Sequence, residues 1–237
     1  MTRSAGTRWS ESTRPVHGSM FDDDDIRKVM AESFLGDLPE RELQALRLSA
    51  RPMAIPAGKL IYDPQISIII EGTLRAFVDD GAGRHLTVSY MRRPQSLGIA
   101  LAAGQEFPVA FQAVTASRIV RLRLTQIEEL RQRGPQAGWR AAEEIAVLLD
   151  CALAETARVA FQPVRARVAY HLLALAECEP GGHLVHQAEL AAAVGSVREV
   201  VSRATSSLTE AGLVDVGVKG ITITNSDGLR RLLRRGE

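Results

Sequence analysis

The sequence predicts an α+β fold: an N-terminal antiparallel β-roll, a long helix, and a C-terminal helix-turn-helix followed by a β-hairpin wing. Three observations predict it. Between residues 60 and 124 apolar residues alternate with polar ones and turn residues recur at short intervals, without intervening helical patterns. From about Trp139 to Phe161 the chain has no Gly or Pro and places apolar residues three and four apart. From Gln187 onward it reads as helix, Gly-containing turn, helix, then two short strands. The 237 residues, 46% hydrophobic and 24% charged, are ordinary globular composition with enough length to bury a core. The expected organisation is a disordered tail over 1–27, a β-roll domain over 28–134, a dimerisation helix over 135–161 and a winged helix-turn-helix over 162–237.

Taken in order, residues 1–25 are rich in Ser, Thr and Arg and end in "FDDDD", which reads as tail; they lack the apolar core of a signal peptide. "DLPERELQALRLSA" from Asp37 predicts a short helix with acidic residues early. Alternation then marks strands: Ile66, Ile68 and Ile70; Leu74, Ala76 and Val78; Leu86, Val88 and Tyr90; Val109, Phe111 and Ala113; Val120, Leu122 and Leu124. Asp63-Pro64, Glu71-Gly72 and "DDGAG" supply the turns. In the long helix Ala142, Ile145, Leu149, Ala152, Thr156 and Val159 form a heptad seam suited to a partner helix, with Leu148 and Leu153 off it. Gln162-Pro163 breaks that helix, and "VRARVAYHLLALAE" starts another with Val164, Val168, Leu172 and Leu175 on one face.

The segment "HQAELAAAVGSVREVVSRATSSLTEAGLV" carries the chemistry. Leu190 and Val194 face inward, Gly195 accepts the positive φ that bulkier residues resist, and Ser196 is expected to cap the next helix. Val200, Ala204 and Leu208 build that helix's inner face, leaving Arg198, Glu199, Ser202 and Arg203 elsewhere on its first two turns. The first turns of a second helix in such a motif enter the DNA major groove. There an Arg fork matches the O6 and N7 acceptors of guanine, and Glu accepts from the cytosine amino group. The alternative is a solvated face with an incidental Glu199–Arg203 pair. Ser196, Gln187 on the first helix and Lys219 at the wing complete the expected DNA-contacting set. Formal charge is only +1, and 162–237 holds nine Lys and Arg against eight Asp and Glu, so the case rests on placement rather than amount.

This segment, with the wing "GLVDVGVKGITI", resembles the DNA-binding part of the cyclic AMP receptor protein/Fnr superfamily of bacterial transcription regulators, and the likeness extends over about 200 residues. The resemblance implies a cyclic-nucleotide-binding-like roll, a homodimer, and double-stranded DNA with TGTGA-like inverted repeats as partner. Arg198, Glu199 and Arg203 meet the family's R-E-x-x-x-R reading pattern, and Ser202-Arg203 matches the serine–arginine pair of the Fnr branch. Val197 departs from the Ser or Thr common before the Arg. RNA polymerase is an implied partner, although the loop "CEPGGHLV" is shorter than in members that use that region to touch it.

The sensor half departs further. Ser96 stands where nucleotide-binding members carry an acid for the ribose, and Phe107-Pro108 where they carry Arg-Ser for the cyclic phosphate. Ala152-Leu153 replaces the adenine-contacting polar pair. A buried phosphate needs a fixed cationic or N–H partner, so the pocket of Ser96, Phe107, Pro108 and Leu153 reads as degenerate, without tight cyclic AMP binding. An effector-driven sensor with an apolar or redox signal is the alternative. Cys151 and Cys178 are too few for a four-cysteine iron–sulfur cluster, and Cys151 beside the seam is the one candidate for a redox role. His85 is read as a strand residue rather than a haem ligand, and His183 and His186 as loop and cap residues. No cofactor, metal site or catalytic set is expected. A cupin-type metalloenzyme would need further strand histidines beside His85. No apolar run approaches the about 18 residues of a membrane span, and Cys151 and Cys178, in no CxxC pair, read as reduced thiols of a cytoplasmic protein.

Overall fold

The computed structural model describes residues 22–82, 84–102, 104, 108–133, 136–178, 185–218 and 220–235. Two helices come first, α1 (Asp23–Glu32) and α2 (Glu40–Ser49). The short strands follow: β1 (Arg51–Ile55), β2 (Leu60–Ile61), β3 (Ser67–Glu71), β4 (Leu74–Asp79), β5 (His85–Met91) and β6 (Ser96–Leu97). After helix α3 (Ile99–Ala102) come β7 (Ala110–Ala113) and β8 (Ser117–Arg121), then α4 (Leu124–Arg133) and the long α5 (Gln136–Phe161). The chain ends in α6 (Val164–Ala176), α7 (Gln187–Val194), α8 (Arg198–Glu210), β9 (Val214–Gly217), β10 (Gly220–Ile223) and α9 (Ser226–Arg235).

Two four-stranded sheets, ordered β1-β8-β3-β6 and β2-β7-β4-β5, form the roll. Period-two alternation splits β3 between two cores. Ile66, Ile68 and Ile70 join the α1 and α2 apolar residues, while Ile69 faces inward with Leu74, Met91, Leu97, Phe111 and Ile119. Both faces of β3 are therefore buried, because helices cover the outer one. The β3–β4 turn needs Gly72: its φ is +88°, and a Cβ there would stand 2.7 Å from the Ser117 Cα. The C-terminal part has its own core, in which Leu172 of α6, Leu190 and Val194 of α7, Leu208 of α8 and Leu229 of α9 are fully buried.

Several expectations are corrected. Residues 23–27 are not tail: Asp22 caps α1 by accepting from the Asp24 N–H, and three aspartates lie in its first turn, where the helix dipole favours them. The rest of the expected tail, 1–21, lies outside the described residues. Leu124 is the first residue of α4 rather than the end of a strand, since β8 stops at Arg121. The chain also separates into compact units that cut across the expected boundaries. One takes the chain to Ala76 and Met91–Leu149; the other takes Phe77–Tyr90 and everything from Asp150.

The largest correction concerns the face of α5. Ile145 packs into the first core and Ala152 is half-buried, so neither stands on an outward seam. The exposed side carries Ala142, Ala146, Leu149, Leu153, Thr156 and Ala160, spaced four and three apart. Leu149 and Leu153 are 58% and 61% exposed, so Leu153, expected in the effector pocket, faces outward. Val159 is also exposed. Cys151 lies two residues from Leu153, about 200° round the helix, and so on the side away from this stripe.

Candidate nucleic-acid interface

The placement of α8 is set by the turn before it. His186 occupies the N-cap position of α7, where its backbone N–H donates to Glu189 Oε2 at 3.1 Å. Leu190 and Val194 are fully buried, as their spacing predicts. Gly195 ends α7 with φ 66° and ψ 39°, the left-handed conformation that reverses the chain. Buried Arg167 on α6 donates through Nη1 to the Val194 carbonyl at 3.2 Å, placing a cation at the negative end of α7.

On α8 the buried residues are Val201, Ala204, Thr205 and Leu208. The expected inner residue Val200 is only half-buried; Val201 takes its place because α8 starts at Arg198 and its inner face is fixed by packing. Arg198, Glu199 and Arg203 are exposed and Ser202 half-buried, on the side turned away from the core. Ser206, one turn beyond Ser202, is exposed on the same side. The sequence reading missed it, although i+3 and i+4 spacing from Arg203 and Ser202 marks it. Among the described residues Glu199 and Arg203 form no ion pair, so the helix presents a free carboxylate and two free guanidinium forks. Gln187 is exposed at the start of α7. Lys219 lies outside the described residues; beside it Val218 stands fully exposed between β9 and β10, which pair antiparallel with Val216 opposite Ile221.

Ser196 does not cap α8. The N-cap is Val197, extended at φ −77° and ψ 150°, with no side-chain hydrogen bond, and Ser196 is one residue too early to reach the free N–H groups. Val197→Thr keeps the branched shape and adds an acceptor. It is expected to raise unfolding free energy by about 1 kcal/mol in chemical denaturation; an unchanged midpoint would show that water already serves those groups.

In the roll, Ser96 is fully buried and its backbone N–H donates to the Glu144 carboxylate of α5. Phe107 lies outside the described residues, and Pro108 is exposed. Burial pushes the Glu144 carboxyl up from 4.5 to about 7. The folded chain then binds more protons than the unfolded one between those values, so stability falls as pH rises through that window and levels above it. Glu144→Gln removes this dependence. At pH 8 the variant is expected to be more stable by on the order of 2 kcal/mol, and at pH 4 nearly equal to the parent. Equal pH profiles in thermal unfolding would contradict it. His85 has a structural role: its ring stacks on Phe77 with centroids 4.2 Å apart, and Nε2 lies 3.0 Å from Asp79 Oδ2.

Comparison with known proteins bears on both halves. Residues 166–232 match the family model of the Crp-like helix-turn-helix domain. The chain is 31% identical over 175 residues to the transcriptional regulator SdrP of Thermus thermophilus, covering 69% of this chain and 81% of that one. It is 26% identical over 191 residues to Vfr, a cAMP-activated global transcriptional regulator of Pseudomonas aeruginosa, covering 75% and 87%. The crystal structure of a CRP/FNR-family transcriptional regulator from Thermus thermophilus superposes with a TM-score of 0.67 at 26% identity, over 79% of this chain and 100% of that one.

Proposed function

This chain belongs to the CRP/FNR family of transcriptional regulators, and from that premise we propose that it is a homodimeric, sequence-specific DNA-binding regulator, cytoplasmic, that does not respond to cyclic AMP through the usual pocket. The observation that carries the DNA reading is the outward side of α8, where Arg198, Glu199, Ser202 and Arg203 stand with Ser206, opposite the buried face of Val201, Ala204, Thr205 and Leu208. An Arg and a Glu on the first turn suit the two bases of a G·C pair, and Arg203 one turn later suits a second guanine. The exposed stripe of α5 supports the dimer. Two copies joined there present their α8 helices to successive major grooves, about 34 Å apart.

Selection of bound sequences from a random DNA pool tests this reading. The expected product is a two-fold symmetric motif with TGTGA-like half-sites, bound with an affinity that falls steeply with salt as phosphate contacts release counterions. An asymmetric motif, or none at low ionic strength, would overturn it. The cyclic AMP part rests on the buried Ser96 and its Glu144 partner at the position where a ribose-binding acid would stand. Ser96 offers no carboxylate to a ribose, its side chain is fully buried, and its N–H is already engaged by Glu144. Titration calorimetry is expected to show no binding at micromolar cyclic AMP, and a micromolar or tighter site would refute it.

A further inference from the structure

The outer part of the β4–β5 hairpin, Phe77–Tyr90, belongs to the same compact unit as the helix-turn-helix, although in sequence it is part of the roll. Three contacts show what it does there. The hairpin is first held to itself, by the Phe77–His85 stack and the His85–Asp79 pair. Near its middle, Leu86 reaches the turn that launches α8: its Cδ1 lies 2.9 Å from where a Cβ on Gly195 would stand, and the His85 carbonyl oxygen lies 3.5 Å from the same point. At its far end the Tyr90 hydroxyl is 3.1 Å from His171 Nδ1 on α6.

The anchor on α6 is buried. His171 is fully buried, and its Nε2 faces Glu155 Oε1 of α5 at 3.6 Å. Glu155 Oε2 accepts from Arg158 Nε at 2.7 Å, and the Arg158 guanidinium lies 3.8 Å from the Tyr170 ring centroid. Burial opposes ionisation of Glu155, but His171 and Arg158 outweigh it and hold the carboxyl below its usual range. In this buried setting the charge attraction among Glu155, Arg158 and His171 is stronger than it would be in water. The hairpin is thus tied to α6 at Tyr90 and rests on Gly195 at Leu86. Gly195 is the residue whose left-handed torsion sets the angle between α7 and α8.

From these contacts we infer that the hairpin positions the DNA-reading helix: Leu86 braces the turn at Gly195, and the Tyr90–His171 bond anchors the brace to α6. Leu86 and Tyr90 are positioning residues, lying on neither α8 nor the wing. Their effect on DNA recognition rests on the reading of α8 given above; the bracing itself does not. A side chain that supports a recognition element holds it within the narrow geometry that base readout demands, while phosphate contacts tolerate more play.

The experiment uses the full chain with Leu86→Ala, Tyr90→Phe and the conservative Leu86→Met. Without DNA, Leu86→Ala is expected to speed amide hydrogen exchange over Ser196–Val201 by about tenfold, with α9 unaffected and Leu86→Met near the parent. With the selected DNA site, Leu86→Ala and Tyr90→Phe are expected to weaken sequence-specific binding by about tenfold, leaving non-specific binding within about twofold and Leu86→Met close to the parent. Tyr90→Phe removes one oxygen and keeps the ring, so it decides the matter if Leu86→Ala unfolds. Unchanged exchange and unchanged selective affinity would overturn the inference, as would tighter selective binding, which would make the hairpin a restraint. If the parent itself selects no DNA but exchange at the turn responds to Leu86→Ala, the brace stands and the DNA reading falls.

Discussion

Replacing Leu149 and Leu153 together with aspartate is expected to turn the proposed dimer into a monomer and to remove tight DNA binding. In a two-fold pair of α5 helices the two substitutions delete four leucines, each contributing about 1.5–3 kcal/mol when fully buried. They also set four carboxylates against one another in the seam. Even with partial burial the dimer should weaken by at least about a thousandfold, which is about 4 kcal/mol. Neither side chain contributes to the chain's own core, being 58% and 61% exposed, so the fold should persist with an unchanged far-UV spectrum. The consequence for DNA follows from linkage. Two reading helices on one rigid dimer gain about 10²–10⁴ in affinity over independent ones, and a monomer forfeits that gain. Sedimentation equilibrium with and without the substitutions, followed by binding to the selected site, measures both effects. A double variant that sediments as the parent does would move the dimer interface off this face of α5.

Arg198→Ala is expected to lose the choice of sequence rather than binding as such. One bidentate Arg–guanine contact discriminates by about 1–3 kcal/mol, and a symmetric dimer makes it twice. Affinity for the selected site should therefore fall by about 2–6 kcal/mol, while non-specific affinity at the same salt changes little, because it comes from phosphate contacts made elsewhere. A cycle that also changes the contacted G·C pair sharpens the test. In the parent that base change is costly, and in Arg198→Ala it should cost almost nothing. If the variant still discriminates against the altered base pair, Arg198 does not read it. Glu199→Ala should relax the same base pair, whereas Arg203→Ala should act on a different position.

Much of the candidate DNA-facing surface is legible in the sequence. The positive φ at Gly195, the burial of Leu190 and Val194, and the outward placement of Arg198, Glu199 and Arg203 all follow from rules that act within one or two helical turns. The cap was misplaced by one residue, at Ser196 instead of Val197, because Ser is the better cap and nothing local shows where the helix begins. Val201 rather than Val200 is the buried valine, because in a 3.6-residue helix either can precede Ala204 and Leu208 on the inner face and packing decides between them. Helix α1 was hidden by four consecutive aspartates, which read as a solvated tail but in the structure lie at the positive end of a helix.

The sequence by itself determined the order of roll, long helix and winged helix-turn-helix, and the residues that could address a base pair, since periodicity, turns and functional-group chemistry are local properties. Only the tertiary structure decided which stripe of α5 is free. Ala142, Leu149 and Thr156 belong equally to a stripe through Ile145 and Ala152 and to one through Ala146 and Leu153, and a 3.6-residue helix fits both spacings. The choice was made by the core, which claims Ile145 and Leu148 and leaves Leu153 in solvent. The same holds for the hairpin that meets the turn at Gly195. Leu86 and Gly195 are more than a hundred residues apart, and no pattern within either segment encodes the other.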